Sequence, residues 1–141
     1  MAEIIYDKDI NQEKIKELNV SVIGFGSQGH AHALNLKDSG VGVVVGLREN
    51  SSSWQRAEDQ GLKVMQVKEA TEDADVVMLL LPDETMADIY NKEIAPYMKE
   101  KATLLFAHGF NIHFNEIVAR EDLNVATVSY THLTLPTICS V

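Results

Sequence analysis

A chain of 141 residues is long enough for one domain with a real core, able to bury roughly two-thirds of its extended surface. Its 45% apolar and 23% charged residues suit a globular protein, and a net charge of −9 argues against non-specific nucleic-acid binding, which needs a basic face. There is no apolar run of about 18 residues to span a membrane, the start Met1–Asp7 lacks the pattern of a signal peptide, and the single Cys139 allows no internal disulfide, so a reduced, cytoplasmic setting is expected.

In chain order, Ile4–Tyr6 reads as a short extended piece, and Asp9 or Asn11 can cap a short helix over Gln12–Leu18. Val20–Ile23 is the first core strand. It runs into Gly24-Phe25-Gly26-Ser27-Gln28-Gly29, after which a helix carries Ala31, Ala33, Leu34 and Leu36 until Gly40 stops it. Val41–Leu47 is a second strand, with Val43–Val45 apolar throughout, as in a parallel strand covered on both faces. Ser51–Gln60 reads as a serine-capped helix ended by Gly61. A short strand over Lys63–Gln66 and a short helix over Lys68–Asp73 follow. Asp75–Leu81 is the clearest buried strand, closed by Pro82. Helices are expected over Glu84–Asn91, Ile94–Lys99 and Ile112–Arg120, and strands over Thr103–Ala107 and Leu123–Ala126. Apolar strands alternating with helices predict an α/β fold: a doubly wound parallel sheet of Rossmann type with right-handed crossovers, spanning residues 1–127.

The glycines carry the first functional signal. A G-x-G-x-x-G spacing between a strand and a helix lets backbone approach a pyrophosphate and aims the helix N-terminal N–H groups at that charge. The plainer alternative is a glycine-rich turn that merely packs tightly. The second signal is the end of the second strand, Val45-Gly46-Leu47-Arg48, followed by Ser51, Ser52 and Ser53. A carboxylate there would hold the ribose 2′-OH of NAD and repel a 2′-phosphate, whereas a guanidinium and hydroxyls bind the phosphate. NADP(H) is therefore read over NAD(H). Glu49 complicates this unless it points outward, and the alternative is a solvated Arg48 with serines that only cap a helix. Trp54 reads equally as an adenine neighbour or a core anchor.

Asp83, Glu84, Thr85 and Met86 follow Pro82 at the carboxyl end of a strand, where this fold places ligands. The two carboxylates read more readily as helix N-terminal groups than as acid catalysts. His108-Gly109 leaves the next strand in the same way, and a histidine there can bind substrate or move a proton near neutral pH, although lone histidines are more often structural. No histidine pair, P-loop, nucleophile elbow or C-x-x-C offers a metal site or another chemistry.

Four motifs in order (Gly24–Leu36, Val45–Arg48, Leu81–Glu84 and Phe106–Phe114) make residues 1–127 resemble the N-terminal domain of ketol-acid reductoisomerase, and the length of the Arg48–Ser53 loop resembles the short-chain form of that family. That resemblance implies Mg²⁺-assisted alkyl migration in an acetohydroxy acid, such as 2-acetolactate or 2-aceto-2-hydroxybutanoate, followed by NADPH reduction to a dihydroxy acid in valine and isoleucine biosynthesis. It implies that Gly24 to Gln28 line the pyrophosphate and that Arg48 and Ser51–Ser53 hold the 2′-phosphate. Asp83–Met86 would then border the ribose and nicotinamide, with His108 as the active-site histidine. A cytoplasmic homo-oligomer acting on a small molecule, without nucleic acid or membrane, is implied for the full family protein.

The end of the chain departs from that pattern. All Asp, Glu, Lys and Arg residues fall within the first 122 positions. Where the family continues with a Pro-Lys-Gly-Pro-Gly-His-like segment, this chain has Ser129–Pro136, with Thr134 in place of a cofactor-contacting glycine. Val128–Thr137 also resembles one reading frame of a sequencing-adapter sequence, so residues 128–141 are read as a non-family read-through tail. The helical C-terminal domain that supplies the acidic Mg²⁺ ligands is not in this sequence, and the chain alone is expected to bind cofactor without turnover. Two alternatives stand beside this one: a standalone NADP-binding module without chemistry, and another β-hydroxyacid-type dehydrogenase.

Overall fold

The computed structural model describes residues 3–128. Its strands are β1 (Asn19–Ile23), β2 (Gly42–Leu47), β3 (Lys63–Gln66), β4 (Val76–Leu79), β5 (Thr103–Phe106) and β6 (Asn124–Thr127). All pair in parallel, in the order β3-β2-β1-β4-β5-β6. The helices are α1 (Glu13–Lys16), α2 (Ser27–Asp38), α3 (Trp54–Asp59), α4 (Val67–Glu72), α5 (Asp83–Ile89) and α6 (Phe110–His113). This is the doubly wound parallel sheet expected from the alternation of elements.

The pleat of the strands sorts the core into two layers. Val20, Val22 and Val45 face the side covered by α2 and α3, where Ala33, Ala57 and Leu62 complete one cluster. Ile23, Val77, Leu79, Leu104 and Phe106 face the other side and pack with Ala70, Met86, Ile89, Tyr90 and Ile94. Alternate side chains point to opposite faces, so a parallel strand covered twice must be apolar at successive positions. Beyond β4 the cover thins: Thr103 and Leu105 are only half-buried, and every residue of β6 is exposed.

Several expected boundaries shift, each for a physical reason. The predicted strand over Asp75–Leu81 is a strand only over Val76–Leu79: Leu80 still donates its N–H to the Ile23 carbonyl (2.9 Å), but its own carbonyl then lies against Gly24. The helix expected over Ser51–Gln60 starts at Trp54, since Ser51–Ser53 form turns, and Ser53 at its N-cap position caps no backbone N–H. The helix expected over Ile94–Lys99 is only turns; before it, α5 continues as a π-helical turn, Tyr90–Ile94, closed by Ala95 N–H donating to the Tyr90 carbonyl (2.7 Å). Pro96 then disfavours further helix. The helix expected over Ile112–Arg120 ends at His113, with Asn115 in the left-handed region (φ 56°). Beyond it the Arg120 guanidinium reaches back to the carbonyls of Ala95 (2.6 Å) and Met98 (3.0 Å). The proposed tail, apart from Val128, lies outside the described residues.

At the amino ends of the strands the sheet is locked by Asp75. Its carboxylate accepts the Asn19 N–H (2.9 Å) and faces Lys99 (3.4 Å). That backbone hydrogen bond first, and the ammonium after it, hold the carboxyl below its ordinary range.

Candidate functional site

The two halves of the sheet wind in opposite directions from β1, whose neighbours are β2 and β4. Their connections diverge at the carboxyl ends of the strands and leave a cleft of about 880 Å³ there. Gly24, Phe25, Gly26, Ser27 and Gln28 form its floor, Arg48 and Ser51–Ser53 one wall, and Leu80–Pro82 with Thr85 the other. All nine residues expected at the phosphates therefore converge on one surface.

Each motif glycine answers a different steric demand. Gly24 has φ +103°, and a Cβ there would stand 2.5 Å from the Leu80 carbonyl oxygen. A Cβ on Gly29 would collide with the carbonyl oxygen of Gly24, so this glycine lets α2 sit hard against the turn. Gly26 has nothing within 4 Å of its Cβ position and opens onto the cleft. It is also the N-cap residue of the twelve-residue α2, whose first turn receives no side-chain cap. A helix start left uncapped beside an open glycine presents backbone donors and a partial positive charge, which is what a diphosphate needs.

The wall over Arg48–Ser53 is two successive turns. Ser51 N–H bonds the Arg48 carbonyl (3.0 Å), Trp54 N–H bonds the Ser51 carbonyl (3.0 Å), and Asn50 takes the left-handed conformation (φ 65°) that asparagine tolerates. The Ser51 hydroxyl accepts the Ser53 N–H (3.3 Å). Arg48 is exposed and forms no ion pair among the described residues. Glu49 lines the cleft as well, because the tight turn at Asn50 keeps the whole loop folded over it. Trp54 is half-buried, packs against the α2–α3 core layer and donates to Glu58 (3.0 Å), outside the cleft lining.

Sequence reasoning missed Arg56. From α3 its Nη2 donates to the Phe25 carbonyl (2.6 Å) and lies 3.4 Å from the Ser53 hydroxyl, with the guanidinium 5.3 Å from the Phe25 ring centre. The available signal was its place three residues after Ser53, one helical turn on.

Of the residues after Pro82, Thr85 lines the cleft, Glu84 is exposed and the Met86 side chain is buried in the core. Asp83 turns toward His108 (Oδ2 to Nε2, 3.4 Å) and accepts from Asn111 Nδ2 (3.0 Å). Asn111, a second residue not singled out from the sequence, is 2% exposed and also contacts Met86 Sδ (3.4 Å). His108 itself is exposed, outside the cleft lining. The signal for Asn111 was a lone amide inside the apolar run Phe110–Phe114. Among the described residues no helix is long and apolar enough to cross a membrane.

Residues 14–131 match the sequence model of "Acetohydroxy acid isomeroreductase, NADPH-binding domain". A solved structure of an NADH-preferring ketol-acid reductoisomerase from an uncultured archean is 40% identical, with a TM-score of 0.84 over 93% of this chain and 41% of that one. The present chain thus spans well under half the length of that enzyme. Two more distant structures share the fold alone. One is a semialdehyde dehydrogenase NAD-binding protein from Cupriavidus necator (20% identity, TM-score 0.68, 85% of this chain and 46% of that one). The other is the pyrroline carboxylate reductase of Plasmodium falciparum (17% identity, TM-score 0.60, 77% and 41%). With a family match over most of its length and a reductoisomerase fold at this identity, the chain belongs to the acetohydroxy acid isomeroreductase (ketol-acid reductoisomerase) family of oxidoreductases, through that family's NADPH-binding domain.

Proposed function

We propose that the cleft takes NADP(H), with the diphosphate on Gly24–Gln28 and the α2 N-terminus, and the 2′-phosphate against Arg48 and Ser51–Ser53. The observation that supports this best is the shared cleft: an uncapped helix start beside the open Gly26 faces the same space as Arg48 and the three serines. The Arg48 guanidinium and the three serine hydroxyls stand there beside the single carboxylate of Glu49. Thr85 and the Leu80–Pro82 backbone would border the ribose and nicotinamide, with Asp83 and Glu84 just behind them.

When bound, the coenzyme supplies a hydride for reducing the carbonyl of a keto acid. In the whole family protein we place His108 at the reacting end, where its imidazole can bind substrate or carry a proton, oriented by Asp83. Among the described residues no group of three or more His, Cys, Asp or Glu side chains comes together to hold a metal. No Mg²⁺ step is therefore derived from these residues, and we assign the metal ligands, and with them the alkyl migration of acetohydroxy acids, to the remainder of the family protein. On this reading the 141-residue chain binds coenzyme without turnover, and the whole protein is a cytoplasmic homo-oligomer of valine and isoleucine biosynthesis.

The test is coenzyme preference. Replacing Arg48→Asp together with Ser53→Asp puts two carboxylates where the 2′-phosphate is placed. NADPH affinity should fall by at least about tenfold while NADH affinity changes little. Unchanged NADPH affinity in calorimetry would remove the loop as the reader of the phosphate.

A further inference from the structure

We propose that Arg56 is a positioning residue for the coenzyme, a latch that sets the glycine turn before any ligand arrives; this rests on the coenzyme reading above. The carbonyl and N–H of one trans peptide point in opposite directions. A guanidinium bond to the Phe25 carbonyl (2.6 Å) therefore fixes where the N–H of Gly26 points, at the residue that opens onto the cleft. The latch has firm footing at both ends. The Phe25 ring is 3% exposed, held edge-on by His30 (5.3 Å between ring centres). Arg56 itself stands beside Ala57, which is fully buried and seats α3 on the sheet.

The same Nη2 lies 3.4 Å from the Ser53 hydroxyl, so the latch joins the diphosphate turn to the 2′-phosphate loop. Its role differs from that of Arg48. Arg48 has no ion-pair partner among the described residues and is free to meet a phosphate, whereas Arg56 is already committed to backbone. Arg48 accordingly discriminates between coenzymes, and Arg56 supports binding of both. Arginine suits this task because its planar guanidinium lies against the Phe25 ring (5.3 Å) while the two N–H groups of Nη2 reach the carbonyl and the hydroxyl, an arrangement a lysine ammonium on a flexible stem reproduces less well.

The experiment titrates the 141-residue chain and its Arg56→Met, Arg56→Lys and Arg48→Met variants with NADH and NADPH. Native-state hydrogen exchange of the Gly24 and His30 amides, which flank the turn and donate to the carbonyls of Gly46 (3.1 Å) and Gly26 (2.9 Å), is followed alongside, without coenzyme. Arg56→Met should weaken NADH and NADPH alike by roughly tenfold, leaving their ratio unchanged, and should speed exchange of those amides. Arg56→Lys should fall between, at an unchanged melting temperature, while Arg48→Met should weaken NADPH alone. A loss confined to NADPH in Arg56→Met would make the guanidinium a direct phosphate ligand and overturn the latch, as would unaltered amide exchange. If the unmodified chain binds neither coenzyme, the coenzyme reading falls, and the exchange rates alone then decide for or against the latch.

Discussion

The two ends of the sheet's carboxyl edge are built to different degrees of completion. Around β1 and β2 the floor and one wall of the cleft come from neighbouring stretches of chain. The glycine turn is sterically dictated, its floor is pinned by Arg56, and a folded loop closes one wall. Around β5 and β6 the chain offers His108 in the open, Phe110, Phe114 and Val118 at 47%, 58% and 74% exposure, and an edge strand with no buried residue. Phosphate recognition needs only backbone donors and a few charges on one turn, so a short contiguous sequence suffices. A substrate pocket must exclude water on all sides, which one layer of sheet and a four-residue helix do not achieve.

Substitutions sharpen that contrast. The largest effect is expected at the glycines, where two neighbours should behave oppositely. Gly29→Ala drives a methyl into the Gly24 carbonyl and should lower unfolding free energy by about 3 kcal/mol in urea titrations. Gly26→Ala meets nothing and should shift stability by under about 0.5 kcal/mol, yet cost NADPH affinity about tenfold by crowding the diphosphate. Equal losses of stability in both variants would mean that Gly26 serves packing and not the ligand.

At the β5 end, Asn111 is buried and hydrogen-bonded. Asn111→Ala removes the donor to Asp83 and opens a gap beside Met86, and should destabilise by about 1–3 kcal/mol by the same titration. A neutral result would leave His108 and Asp83 without a built support. The smallest effect is expected next door: Phe110→Ser should change stability by less than about 0.5 kcal/mol, because the ring is half in water already. A loss of 2 kcal/mol or more, about what a buried ring would cost, would show that this end is packed after all.

The sequence made the strands and the phosphate end visible because both are local. Runs such as Val76–Leu79 announce a doubly covered strand, and the glycine spacing carries its own steric logic. What stayed hidden depends on partners far along the chain. Arg56 gains its meaning from Phe25, 31 residues earlier, and Asn111 from Asp83, 28 residues earlier. The segment after His113 carries apolar residues at helical spacing, but Arg120 ties it to Ala95 and Met98 and overrides the local preference. The serines of the loop read from sequence as phosphate ligands or as helix caps, and the folded chain puts all three on the cleft, with Ser53 capping no backbone N–H.

Titration calorimetry of the folded 141-residue chain bears most directly on whether this cleft is a coenzyme site. Heat of binding saturating at one NADPH per chain, with NADH weaker, is the outcome expected from an uncapped helix start facing Arg48. Absence of heat with both NADPH and NADP⁺, on protein shown to be folded by its cooperative melt, would contradict it.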